Sequence, residues 1–189
     1  LIVLFYYIYR KLELSGSTLR RHGLKTEDMA WNKAILTTTG DKNLIDDLIP
    51  DVMFKSKEGL HFDEAISGMI DQNLTVGYHD SKIIINDVLG RFIYKDQFPK
   101  EISLKNKECK IFWISEDCIY RQYQNGQLTK EIRGIEETKK ELVTLDIKPI
   151  DQWGETMILQ LMDYEVFGVK REQHGFILWD IPFDLYQFD

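Results

Sequence analysis

The side chains best suited to making and breaking bonds in this 189-residue chain are four histidines and two cysteines, and none of them falls into a recognisable catalytic spacing. His61 stands two residues before Asp63, and His79 stands beside Asp80. Those pairs are of the types that ligate a metal or share a proton as acid and base. A lone histidine in a turn more commonly faces solvent, and the four histidines, His22 and His174 included, are isolated from one another along the chain. The acidic pairs Asp46-Asp47, Glu116-Asp117 and Glu136-Glu137 fall in turns or helix-like stretches without the alternating ligands of a calcium loop, so they read as solvated acids. No G-x-S-x-G elbow, H-E-x-x-H helix, phosphate-binding loop or G-x-G-x-x-G turn is present. The expectation is a protein with no catalytic residue, no metal and no cofactor.

Cys109 and Cys118 lack the C-x-x-C spacing of zinc or redox sites. A three-residue turn at Ser115 to Asp117 sets Cys109 opposite Tyr123 and Cys118 opposite Ile114. The resulting offset of about five residues separates the thiols by roughly 16 Å, whereas a disulfide tolerates a Cα separation of about 7 Å. Two free thiols packed as small hydrophobes are expected. Asn73-Leu74-Thr75 matches a glycosylation sequon, a weak signal alone.

The composition is that of one globular domain. It is 43% hydrophobic and 29% charged, enough apolar material for a single core. With 31 Asp and Glu against 24 Lys and Arg, the net charge of −7 argues against nucleic acid, whose phosphates need a basic face. The first nine residues, LIVLFYYIY, are unbroken and apolar and stop at Arg10-Lys11. Such a run reaches roughly 14 Å as a helix, while a bilayer core needs about 20 residues. It reads as the end of an anchor or signal segment, or else as a buried terminal element. The expected division is residues 1–25 as a truncated apolar anchor or signal segment plus spacer, and residues 26–189 as a single α+β domain dominated by an antiparallel sheet.

Thr26, followed by Glu27 and Asp28, caps an expected helix through Met29, Ala30, Trp31, Ala34 and Ile35. Asp41 precedes a second, with Leu44, Ile45, Leu48 and Ile49 on one face and Pro50 as its stop. A third is expected from Phe62 to Ile70. From Leu74 the period falls to two. A hairpin turns at His79, Asp80 and Ser81. Further strands are expected at Arg91 to Tyr94, Cys109 to Ile114 and Glu141 to Ile147, with a closing set starting at Thr156, Tyr164 and Phe176. The fold class is α+β: a mainly antiparallel, curved β-meander with short N-terminal helices.

Asn125-Gly126 is the dipeptide that a two-residue type I′ turn demands, since both positions take positive φ. It pairs Gln124 with Gln127, Tyr123 with Leu128, and so on to Tyr120 with Glu131. One face then carries Ile119, Tyr123, Leu128 and Ile132. The other carries Tyr120, Gln122, Gln124, Thr129, Glu131 and Arg133, a polar surface that water or a protein partner could cover. Tyr120, Gln122, Glu131 and Arg133 are the candidate partner-binding residues.

An apolar start, a spacer, short helices around Trp31 and Leu44, then CKIFWISEDCIYRQYQNGQLTKEI and a terminal GFILWDIPFDLYQF together resemble, in layout over most of the chain, the TipC family. These are streptococcal immunity proteins that protect a producer from a type VII-secreted toxin attacking the cell-wall precursor lipid II. The resemblance implies a non-enzymatic, monomeric inhibitor, tethered outside the cytoplasmic membrane by its N-terminal segment, that covers the cognate toxin's active site with a concave sheet. Against that location, Arg10-Lys11 and Arg20-Arg21 follow the apolar run, and the positive-inside rule keeps the domain cytoplasmic unless the preceding residues are more basic. Two other classes stay open: a small-ligand or lipid binder on a curved sheet, which needs an apolar cavity, and a hydrolase whose site gathers distant residues.

Overall fold

The computed structural model describes residues 33–67, 70, 73–93, 95–115 and 118–188. The apolar start, the spacer and the Thr26 cap with Met29 to Trp31 lie outside the described residues. Eight strands form one antiparallel sheet: β1 (Lys33–Thr39), β2 (Met53–Leu60), β3 (Leu74–His79), β4 (Lys82–Asp87), β5 (Glu108–Ile114), β6 (Ile119–Gln124), β7 (Gln127–Arg133) and β8 (Phe183–Phe188). Their order is β2-β8-β3-β4-β1-β5-β6-β7, so β1 is inserted between β4 and β5, and β8 between β2 and β3. Five helices accompany them: α1 (Ile45–Leu48), α2 (Phe62–Ala65), α3 (Gln97–Asn106), α4 (Ile135–Thr144) and α5 (Gly154–Phe167). The class is α+β with a mainly antiparallel sheet, as expected, but the helices are not confined to the N-terminal part: β1 and β2 precede Leu74, and α3, α4 and α5 follow it.

Several individual elements differ from the sequence reading, each for a local reason. Ala34 and Ile35 belong to β1 instead of a helix. Their strand continues into Thr37, Thr38 and Thr39, β-branched residues that favour a pleated backbone, and its middle is buried on both faces. The α2 helix stops after one turn instead of reaching Ile70, and Ile66 has left helical geometry at φ −110°. Of the strand expected at Arg91 to Tyr94, Tyr94 lies outside the described residues and Arg91 to Ile93 form a turn. There the buried Asp87 carboxylate accepts the Phe92 and Ile93 N–H groups at 2.7 and 3.1 Å and draws the chain round. The segments at Glu141, Thr156 and Tyr164 are helical: Glu141 to Thr144 end α4, and the other two belong to α5. Every residue of α5 from Thr156 to Asp163 is buried, so the amphipathic period that announces a helix is missing from it. The segment at Phe176 contains a 3-10 turn, Ile177–Asp180, and the last strand is β8. By contrast, Asp41 accepts the Asn43 N–H and opens the Lys42–Leu44 turn that runs into α1, as its position suggested.

Helices cover both faces of the sheet. On one, Ile35, Ile84, Phe112, Tyr120, Ile132 and Phe183 pack with α5, α4 and α2. On the other, Leu36, Ile83, Ile85, Ile111 and Tyr123 pack with α1 and with Ile102 of α3. No helix among the described residues is long and apolar enough to cross a membrane.

Candidate functional site

Asn125 and Gly126 sit at φ 48° and 77°, and the pairs nearest them, Gln124 with Gln127 and Tyr123 with Leu128, are those the turn dictates. Beyond them Thr129 is an extra residue. It forms a β-bulge, and its hydroxyl donates to the Gln122 carbonyl at 3.1 Å. From there every pair slips by one, to Gln122 with Lys130, Arg121 with Glu131, Tyr120 with Ile132 and Ile119 with Arg133. Since side chains alternate along a strand, that slip exchanges the faces of β7. The four candidate residues therefore divide. Tyr120 and Gln122 share one face with Lys130 and Ile132, while Glu131 and Arg133 share the other with Arg121. The placement of Tyr120 on an exposed face is corrected: the ring is 0% exposed, tilted on Phe112 at 5.1 Å between centroids.

On the α5 side, the end of the sheet holds a half-buried network of opposite charges. Lys110 Nζ donates to the Glu165 carbonyl at 2.6 Å and to its carboxylate at 3.0 Å. Lys130 Nζ donates to Glu141 at 2.5 Å, lies 3.7 Å from Glu165 and sits 5.5 Å from the centroid of the Tyr120 ring. Gln122 Nε2 donates to Glu108 at 2.5 Å. The Tyr120 hydroxyl is buried among these groups beside the Glu165 carboxylate, outside strict hydrogen-bond geometry. Burial first, and the nearby Glu165 charge second, push its ionisation far above the ordinary phenol range. A tyrosine that abstracts protons needs the opposite shift. The network joins α4 and α5 to the sheet, and its lysines already bind carboxylates.

On the α3 side the groups stay partly in water. Arg121 Nε donates to Glu131 at 2.6 Å and its Nη1 to Asp96 at 3.3 Å; Tyr123 donates to the same Asp96 oxygen at 2.8 Å. Burial, with Asp96 next, pushes the Tyr123 phenol up to about 12. Arg133 Nη2 lies 3.7 Å from Glu131, with its side chain 53% exposed. Leu128 and Leu104 are exposed at the turn end of the hairpin, the length of β7 from Arg133, with Leu104 so close to Gly126 that a Cβ there would meet its Cγ at 2.8 Å. Sequence reasoning missed Arg121, because only the bulge brings it opposite Glu131. It missed Asp96 because that residue arrives from a separate segment with no pattern linking the two.

The remaining candidates are scattered. The His61 N–H donates to Glu64 Oε2 at 3.1 Å as part of the α2 cap. His79 Nε2 stands 3.3 Å from Asp80 on the exposed turn, its ring edge-on to Phe167. His22 and the pair Glu116-Asp117 lie outside the described residues. Among the described residues, no group of three or more His, Cys, Asp or Glu is placed to hold a metal. Cys109 and Cys118 are buried free thiols, with Cys109 opposite Tyr123 as expected. Thr75 of the sequon is buried in β3, donating to the Ala65 carbonyl at 3.0 Å. An open groove of about 370 Å³ lies along Lys57, Leu60, Asp63, Glu64, Ile70 and Leu185, with Leu60 and Leu185 supplying apolar surface. No family model, curated protein or solved structure matches the chain.

Proposed function

We propose that this domain is a non-enzymatic inhibitor that binds and neutralises a secreted antibacterial protein toxin, meeting it with the α3-side surface of the β6–β7 hairpin around Glu131 and Arg133. The observation that carries this reading is the filling of both sheet faces by helices, which leaves the hairpin's charged end outside. A small-ligand or lipid binder needs an apolar cavity, and the groove along Leu60, Ile70 and Leu185, open to water and edged by Lys57, Asp63 and Glu64, is where that reading would place its ligand. Along β7 this surface runs from the apolar Leu128, with Leu104 beside the turn, to Glu131 and the exposed Arg133 at the other end of the strand, the mixture that interfaces use at their centre and margin. Tyr120 has no part in it. Gln122, on the opposite face, contributes through the network that fixes the hairpin. A tether outside the cytoplasmic membrane through residues 1–25, and action as a monomer, belong to the same proposal.

The test is co-expression with a secreted toxin that degrades a cell-wall precursor, scoring survival and measuring affinity. The wild-type chain should protect and bind, and Glu131→Ala with Arg133→Glu should weaken the complex about tenfold, which is about 1.4 kcal/mol. Saturable turnover by the purified chain that disappears on replacing His61 or His79 would overturn the inhibitor reading in favour of a hydrolase.

A further inference from the structure

Beyond the residues proposed to bind the toxin, Trp153 and Trp179 project into water around the start of α5 and the turn before β8. Trp153, the residue that caps the helix, is 64% exposed, and Trp179, in the Ile177–Asp180 turn, is 46% exposed. Large rings left open in this way are what protein interfaces gather at their centres. A chain of contacts links the Trp153 backbone to the Trp179 ring. Asp151 accepts the Trp153 N–H at 2.8 Å and the Thr156 hydroxyl at 2.9 Å, and it lies 3.6 Å from His174 Nε2. His174 meets Phe176 edge-on at 6.4 Å, and Phe176 meets Trp179 edge-on at 5.5 Å. Phe176 is buried, so Trp179 rests on a fixed ring.

The surroundings are acidic. Asp180 follows Trp179 and is exposed, and Glu155 lies in the first turn of α5. Burial, and after it the charge of Asp151, raise the protonation range of Glu155, so the two carboxylates crowd one another. The cations on the same connecting segment are engaged elsewhere: Arg171 Nε donates to the buried Asp163 at 2.6 Å, and Lys170 pairs with Asp146 at 3.3 Å. An indole face with carboxylates beside it attracts a cation through both the ring quadrupole and simple charge. The chain's acidic excess of 31 to 24 would steer a basic partner toward it.

We propose that the Trp153–Trp179 surface docks an arginine- or lysine-bearing segment of another protein, its cation seated over an indole face with Glu155 and Asp180 as counter-charges. This surface adjoins the base of the β6–β7 hairpin, since Gly154 packs on Cys118 and Ile135, but its test does not depend on the inhibitor reading. The experiment titrates the full chain by calorimetry with an oligo-arginine peptide, and in parallel with an oligo-glutamate peptide. Saturable binding of the first and none of the second is expected. Trp153→Ala with Trp179→Ala leaves the net charge unchanged and should weaken binding about tenfold, because the ring contribution goes while the general attraction stays. Trp153→Ala alone, which removes a ring that is mostly in water, should weaken binding in the same direction if loss of Trp179 disturbs the fold. Equal affinity in the tryptophan variants would mean attraction by net charge only and would overturn the proposal. So would the absence of saturable binding by the wild-type chain.

Discussion

Replacing Tyr120 by alanine separates the register observed from the register that the Asn125-Gly126 turn alone implies. Were the pairing unbroken, Tyr120 would face solvent opposite Glu131, and its truncation would stay within about 0.5 kcal/mol, as for most surface changes. With the bulge at Thr129 it lies opposite Ile132, 0% exposed, against Phe112 and beneath Lys130. Removing a buried aromatic ring takes away its transfer free energy and leaves a cavity, a loss of about 3–5 kcal/mol. With a urea slope of about 2 kcal/mol/M, the unfolding midpoint should drop by about 1.5–2.5 M. Tyr120→Phe isolates the hydroxyl. That group is buried beside the Glu165 carboxylate, outside strict hydrogen-bond geometry, so it recovers little of its desolvation cost and the phenylalanine variant should stay within about 1 kcal/mol of wild type. The assay is equilibrium urea unfolding of both variants, followed by circular dichroism. An alanine variant with an unchanged midpoint would refute the bulged register, and a phenylalanine variant weaker by more than about 1 kcal/mol would show that the hydroxyl has a stabilising partner.

A Cβ at Gly154 would overlap Cys118 Sγ and approach Ile135 to 3.0 Å, so Gly154→Ala should cost about 1–3 kcal/mol, and the cost should shrink when Cys118 is also alanine, as a double-mutant cycle would measure. Burial raises the Asp87 carboxyl above its unfolded value, against the pull of the Phe92 and Ile93 N–H groups. Its contribution to stability is therefore fully present below the unfolded value and is lost as pH rises through the folded one. Relative to Asp87→Asn, which mimics the protonated form, wild type should gain stability as pH falls from 7 toward 4, and urea unfolding at the two pH values would contradict this if wild type lost ground instead.

What the sequence made legible was whatever local backbone chemistry enforces. Asn125-Gly126 and Asp80-Ser81 both turn with positive φ, and Asp41 caps its turn, because each depends on neighbouring residues alone. The α5 helix was illegible for a physical reason. It is covered on all sides, so Met157 to Met162 carry no polar stripe, and a short apolar run suits a buried strand equally well. In β1, Ala34 and Ile35 fit a helical spacing, and only burial on both faces at the centre of the sheet settles them as strand. Of the candidate site, the exposure of Arg133 was legible from its place at the end of β7. The burial of Tyr120 was not, because nothing in QNGQLTKEIR marks Thr129 as the residue that steps out of the ladder.

The position of that bulge bears on how any partner can approach. Strands β7 and β2 are the two edges of the sheet, and edges expose unpaired N–H and C=O groups that invite another chain to add a strand. Both edges are irregular. β7 is interrupted at Thr129, with its hydroxyl turned back onto the Gln122 carbonyl, and β2 shifts register against β8 twice, between Lys55 and Lys57 and again between Lys57 and Leu60. Lysines also line β2, at Lys55 and Lys57. A strand added to either edge would meet a ladder that loses phase within a few residues, which weakens main-chain pairing and favours recognition by side chains. That is why the contacts proposed for this domain rest on Glu131 and Arg133 at the hairpin, and on Trp153 and Trp179 at the start of α5, rather than on an added strand.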